Sequence, residues 1–452
     1  MIMRWALGLL SGLVICAGAP RAWAAIGETV PTRLTFADAI ELATRRYAEV
    51  LLANERTLQA LARLGQARSV LWPQITASAS QSRQTKNLDA LGIPVAGRDP
   101  VVGPFNAFDA RATLTQTLFD AAAFERLLAA RAGRQLSLAQ YEQAKQDAMA
   151  LVAALFLKAM RAAQAIEPAH ALLVRDQRRV AVLSAQQRLG LGSAIEVERA
   201  QADETESRAR WGAAMAEAYE RELDLIAALH LPADQPLILL DEDDLPTAVA
   251  PISAQGRPAV EGHPDIVVAQ RLITQRNAER SAERADFLPT MGLSADYGAS
   301  GTEINHAKPT YTIGANISMP LFEGGRRLAR LREVDSRVRE GHTVLDDVRR
   351  QVEVKVLQAA QTLQQSAAAL EAKTAHLRLA ATQLSLAQQR LRTGLGSELE
   401  VVEIQANAAV AKDNRADAIA TYRLAQVTLA HAMGHVEQLA SLQTADHRPQ
   451  HP

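Results

Sequence analysis

This sequence of 452 residues predicts a mainly α-helical chain of two similar halves, each with a long helical hairpin and one strand–loop–strand element. A duplicated turn segment is the first sign. Ala185-Gln186-Gln187-Arg188-Leu189-Gly190-Leu191-Gly192-Ser193 leads into Ile195-Glu196-Val197, and Ala387-Gln388-Gln389-Arg390-Leu391 leads through Gly394-Leu395-Gly396-Ser397 into Leu399-Glu400-Val401. The two GLGS turns lie 204 residues apart, a repeat that fixes an architecture before any side-chain chemistry is considered. Next, each half holds a stretch of about 70 residues with helical patterning and no Gly/Pro cluster to stop it, roughly 100 Å of helix. Finally, short period-two segments recur at matching places before those stretches.

The chain opens on Arg4, an apolar run from Trp5 to Gly18 and a small-x-small site at Ala22-Trp23-Ala24, so residues 1–24 read as a secretory signal peptide. The run is short for a spanning anchor. The single cysteine, Cys16, lies inside it, and Ile15 stands where a lipoprotein cleavage box calls for a small residue. Cleavage after Ala24 leaves no thiol, hence no disulfide or cysteine–metal site. No later segment has about 18 uninterrupted apolar residues; the best run, Ala148 to Leu157, stops at Lys158.

The first repeat spans 25–231. Leu34 to Leu71 has helical spacing, with Thr35 and Asp38 in a capping-box pattern. After Pro73, Gln74 to Arg83 alternates, Thr85 to Asn106 reads as a loop, and Phe108 to Phe119 alternates again, a strand pair over about 74–119. A helix follows from Asp120 to Leu189, which Pro168 should kink or break. The tip at 190–193 reverses the chain into a helix from Ile195 to Leu231. Residues 232–264, with six prolines and Asp241-Glu242-Asp243-Asp244, read as a linker. The second repeat, 265–435, has a helix, a strand pair over about 290–322 around a loop at Gly298–Pro309, a helix from Glu323 to Thr393, the tip at 394–397 and a return helix from Leu399 to Met433. Val334, Val338, Leu345, Val348 and Val352 form a packing seam. Residues 436–452 read as a polar tail.

Lys and Arg (49) balance Asp and Glu (50), so nothing argues for nucleic acid as a partner. Aromatics make up only 4%. The histidines are dispersed, with no H-E-x-x-H pattern, and no nucleotide-binding signature is present; GLGS lacks the buried strand and the Lys of a phosphate loop. The sequence therefore calls for no enzyme, no cofactor and no metal, and the tail histidines His447 and His451 read as solvated.

The segment Gln389 to Gln405 (Q-R-L-x-x-G-L-G-S-x-L-E-V-V-E-I-Q) and Pro320 to Gly325 (P-L-F-E-G-G) resemble the TolC-like outer membrane factors of Gram-negative bacteria, over about Leu34 to His435. The resemblance implies a homotrimer whose helical barrel crosses the periplasm below a membrane β-barrel. It also implies an exit duct of a tripartite efflux or type I secretion system, working with a periplasmic adaptor protein and an inner-membrane transporter. A periplasmic adaptor, itself built of long helical hairpins, or a secreted coiled-coil structural protein are the rival readings. Physical reasoning agrees with the duct. Four strands are too few for a closed membrane barrel, and open strand edges cannot face lipid, so closure needs further copies: eight strands from two chains, twelve from three. Trp72, Phe105, Phe108, Phe119, Phe287, Tyr297, Tyr311 and Phe322 cluster in or beside the strands, as interfacial girdles do, although strand propensity accounts for part of this.

By that resemblance Glu400 and Glu403 match the acidic residues at the constriction of the periplasmic tip, where three copies would form a cation-selective ring. They are three apart and share a helix face. An ordinary solvated face is the plain alternative. Leu391 and Gly396 stand where an aromatic and a basic gate partner occur in relatives, so a gate locked by those particular bonds is not implied. Glu196 and Arg199 are the first-copy counterparts. The tips Gly190, Leu191, Gly192, Ser193 and Gly394, Leu395, Gly396, Ser397 are helix-reversing turns. In the family such tips meet the hairpins of the adaptor.

Overall fold

Thr35 starts the first helix as its capping box requires: its Oγ1 accepts the Asp38 N–H at 3.1 Å, and its own N–H donates to Asp38 Oδ2 at 3.3 Å. The computed structural model describes residues 33–93, 99–232, 237–240 and 261–439. The expected signal peptide, the acidic run 241–244 and the histidines of the tail lie outside those residues. The single helix expected over 34–71 is two, α1 (Phe36–Arg46) and α2 (Ala48–Ser69), because Tyr47 leaves the helical region at ψ 129° and packs its ring against the core. Just before α1, β1 (Arg33–Leu34) pairs in parallel with β4 (Ile238–Leu239), clipping the start of the first half to the segment that follows it.

Four strands form one antiparallel sheet in the order β2 (Gln74–Asn87), β3 (Val101–Phe119), β5 (Thr290–Gly301) and β6 (Lys308–Ser318). The strands run further than their alternation predicts. Both ends of the loop expected over 85–106 are strand, as are both ends of the loop expected over 298–309. Small and polar residues there hide the period, while the backbone ladder continues across a register shift between Gln84 and Lys86. The central pairing, β3 on β5, joins the two halves, so β2 and β6 are left as edges with no further strand partner among the described residues.

Helix α3 (Ala121–Gln164) passes into α4 (Ile166–Arg188) through a break at Ala165. Pro168 thus sits in the first turn of α4, where its missing N–H would have had no helical acceptor. Its second-half equivalent, α7 (Arg326–Arg392), runs 67 residues without a break. Helices α5 (Ala194–Ala228) and α8 (Glu398–Met433) return from the tips, and α6 (Pro264–Ala285) corresponds to α2.

The largest core lies where α1, the end of α3, the end of α5 and the end of α8 converge, with Leu34, Val152, Phe156, Leu157, Leu225 and Leu229 almost fully buried. The stretch Ala121–Arg188 has the length and hydropathy of a membrane-crossing helix, but Val152, Phe156 and Leu157 within it are buried against the other core helices. The valine seam of α7 packs as its spacing predicts: Leu345 and Val352 close on Ile266, Ala269 and Ile273 of α6, while Val334 and Val338 are buried further along the same helix. Towards the tips the contacts shift to small residues, Ala359, Ser366, Ala380 and Ala387 on α7 and Ala406 and Ala418 on α8, which bring the helix axes close at little burial per residue.

Candidate functional site

Both tips reverse the chain by the same hydrogen bonds. Gly190 (φ 72°) and Gly394 (φ 74°) adopt the left-handed conformation that ends a helix. The following amides close the loop: Leu191 N–H to Gln186 O and Leu395 N–H to Arg390 O, each 2.9 Å. Gly192 and Gly396 lie against the helix end they have just left; a Cβ would meet the Gln187 nitrogen at 3.3 Å or the Leu391 nitrogen at 3.1 Å. Ser193 and Ser397 then cap the return helices, the latter accepting the Glu400 N–H at 3.1 Å. Leu189, Leu191 and Leu395 are left about three-quarters exposed at the ends of the hairpins.

The turn geometry matches the copies differently from the letters. Gln186 and Arg390 hold equivalent places as acceptors of the closing bond, so the arginine of the repeated A-Q-Q-R-L is shifted by two residues between the tips. That shift separates their chemistry. In the second tip Arg390 Nη1 donates to Glu400 Oε1 at 2.8 Å across the turn. In the first, Glu196 instead accepts the Ser193 N–H at 3.4 Å and no guanidinium reaches it at the matching place. Glu400 is half-buried and paired; Glu403, one turn on, is exposed.

Glu403 lies on the helix that packs against the other hairpin. Helix α8 packs on α4, and the Glu403 charge reaches Arg175 there. Arg175 holds Asp176 through Nε (2.8 Å) and Nη2 (3.0 Å). Asp176 is 1% exposed and also accepts a short bond from Ser207 Oγ of α5. Burial works against its charge, but the bonds from Arg175 and Ser207 win and hold its carboxyl below the ordinary Asp value. Arg175 is raised in turn, first by its bond to Asp176, with Asp203 and Glu403 adding. Arg390, Arg175, Asp176 and Ser207 were not legible as site residues. Their one sequence signal is register: Arg179–Asp203 and Asp176–Ser207 straddle the first turn nearly symmetrically, as partners in an antiparallel hairpin must.

At the opposite end the sheet separates its chemistry by face. Ile75, Ala77, Ala112, Leu114, Leu293, Ala295, Tyr297, Tyr311, Ile313 and Ile317 share one side by register, and Thr76, Ser78, Asp109, Arg111, Thr113, Ser294, Asp296, Thr312 and Asn316 share the other. No described residue covers the apolar side, where Ile75, Tyr311 and Ile313 are at least 70% exposed. Trp72, Phe119, Leu321 and Phe322 stand exposed where strands meet helices, and Glu323 takes Arg326 and Arg327 at the Gly324-Gly325 bend. Among the described residues no group of three or more His, Cys, Asp or Glu is placed to hold a metal ion.

The profile of the outer membrane efflux protein family matches residues 39–229 and 257–435. The alkaline protease secretion protein AprF of Pseudomonas aeruginosa is 26% identical over 315 residues, which are 67% of this chain and 64% of AprF. The outer membrane protein OprJ of the same organism is 26% identical over 431 residues, 87% of this chain and 84% of OprJ. Among solved structures, the CmeC outer membrane channel of Campylobacter jejuni superposes with a TM-score of 0.73 at 18% identity, covering 91% of this chain and 88% of CmeC, a likeness of fold.

Proposed function

The chain belongs to the outer membrane efflux protein family, and from that premise we propose that three copies close into a passive duct through the outer membrane and periplasm. One observation carries the proposal: a four-stranded sheet, apolar on one face and polar on the other, whose apolar face is uncovered and whose two edges are unpaired among the described residues. Strand edges in lipid must be satisfied, and four strands cannot close on themselves. Three copies joined β6 to β2 give twelve strands with the apolar face to lipid and the polar face to the lumen. Val354, Leu357, Leu379 and Leu386, exposed along α7, then become contacts between copies in the helical tunnel below.

The tips are the far end of that tunnel. Leu189, Leu191 and Leu395 offer an apolar surface to the hairpin of a periplasmic adaptor, which links the duct to an inner-membrane transporter that supplies the energy. Glu400 and Glu403 form the gate at the constriction. Arg390 restrains Glu400 within its own hairpin, and Arg175 draws Glu403 towards the neighbouring one. Solutes pass outward when adaptor docking loosens these ties.

Cross-linking tests the assembly. A cysteine on β2 (Ser78→Cys) and one on β6 (Thr312→Cys) are joined by a flexible bis-maleimide in detergent-purified protein lacking residues 1–24, so that no other thiol is present. Covalent species that stop at three chains support the duct; species that stop at two, or a ladder that continues past three, overturn it.

A further inference from the structure

Arg111 is the one basic side chain in the middle of the polar face of the sheet, and it holds both acids there. Its Nε donates to Asp109 Oδ1 at 2.6 Å on its own strand, its Nη2 makes a second, short bond to the same carboxylate, and its Nη1 donates to Asp296 Oδ1 at 3.0 Å across to β5. The register shows why it can. Arg111 stands opposite Gly298, with Asp109 two residues back on β3 and Asp296 two residues back on β5. A Cβ at position 298 would come within 2.5 Å of Arg111 Cβ and 2.3 Å of the Ala110 oxygen, so the missing side chain is what lets Arg111 lie flat between the two acids. The remaining side chains of this face at these levels are Ser78, Ser80, Thr113, Thr115, Ser294, Ser300, Thr310 and Thr312, which are uncharged, and Lys308, which stands opposite Ser300 at the start of β6.

We propose that Arg111 sets the ion selectivity of the barrel by cancelling one of two carboxylate charges per chain, a charge filter separate from the acidic tip. This rests on the duct reading, in which the polar face lines the lumen. Each chain then contributes Asp109 and Asp296 against Arg111, with Lys308 at the strand end in the Asp109 row, so the ring in the barrel is close to neutral. Removing the guanidinium shifts the ring by one negative charge per chain; removing one acid shifts it by one positive charge per chain. Fixed charges lining a narrow water-filled passage bias which ions enter, and the bias follows their sum. Arg111 also ties the first half of the chain to the second, since Asp296 lies on β5.

The test is the reversal potential of the purified full-assembly protein in a planar bilayer under a KCl gradient, with Glu400→Ala/Glu403→Ala as the common background so that every protein compared has the same tip, without its two carboxylates. Arg111→Gln is expected to raise the cation-over-anion permeability ratio by about twofold or more, Asp296→Asn to lower it by a similar factor, and Arg111→Lys to leave it near the background value. If Arg111→Gln forms no channels, Asp296→Asn, which keeps the Asp109–Arg111 pair, decides alone. Conducting channels whose ratio is the same in Asp296→Asn and the background overturn the filter and leave the duct intact. Absence of conductance from every protein, background included, overturns the duct reading itself.

Discussion

Arg390 and Glu400 are bonded at 2.8 Å across the second tip, and no such pair exists at the equivalent place in the first. The difference comes from two residues, Arg392 and Thr393, that lengthen the second copy just before its turn and bring an arginine where the first copy has Gln186. The pair is only partly buried and open to solvent on the Arg390 side, so it contributes under about 1 kcal/mol to folding, and its importance lies in where it holds Glu400. Arg390→Ala and Glu400→Gln are each expected to lengthen channel open time, while the double variant does no more than either single one. Independent, additive effects in single-channel records would show that the two residues do not act as a pair.

The left-handed glycines of the tips have a cost if replaced. Gly394→Ala forces an L-residue to φ 74° and is expected to weaken the turn by about 1 kcal/mol, with Gly394→Asn milder. Hydrogen exchange reads this locally. The Leu395 amide, bonded to Arg390 O, should exchange about fivefold faster in the alanine variant, while amides in the core of α3 stay unchanged.

Asp176 is a buried charge whose partners are Arg175 and Ser207, and it joins the two helices of the first hairpin. Asp176→Ala leaves Arg175 without its main partner and is expected to cost about 2 to 3 kcal/mol, less for Asp176→Asn, which keeps the Ser207 bond. The sign of the pH effect follows from its lowered pKa. Its contribution is fully present above the unfolded Asp value of about 3.9 and is lost as pH falls through the lower folded value. Thermal unfolding of wild type and Asp176→Asn between pH 6 and 2 should show the gap narrowing only below about pH 4.

His263 caps α6 with its ring: Nδ1 accepts the Asp265 N–H at 3.2 Å, which requires that nitrogen to be unprotonated. Burial pushes its pKa down, outweighing the pull of the Asp265 charge. The stabilisation is therefore present above the ordinary His value of about 6.5 and declines as pH falls towards the lower folded value. His263→Asn, which can cap without titrating, should match wild type at pH 8 and lose less stability at pH 5 in the same unfolding measurement.

How much of this was legible depended on the range of the signal. Repeats and local patterns were readable: the GLGS turns, the Thr35–Asp38 capping box and the α7 valine seam each need only residues within one or two helical turns. The break at Tyr47 was not, because a single residue packed into a distant core overrides an otherwise continuous helical pattern. The strand ends were lost for a related reason: Thr85-Lys86-Asn87 and Gly103-Pro104 carry no alternation, and only pairing with a neighbour makes them strand. Glu400 could be singled out by resemblance, but its partner Arg390 could not, since the repeated letters align it with Arg188 and only the turn geometry aligns it with Gln186. The Arg111 cluster needed the β3–β5 register, which joins residues 185 apart.

The central claim is that this chain is a duct, and single-channel recording of the purified protein in a planar bilayer tests it most directly. The account predicts small, cation-preferring steps from wild type that grow in Glu400→Ala/Glu403→Ala. Folded, membrane-inserted protein that gives no steps in either form would contradict it.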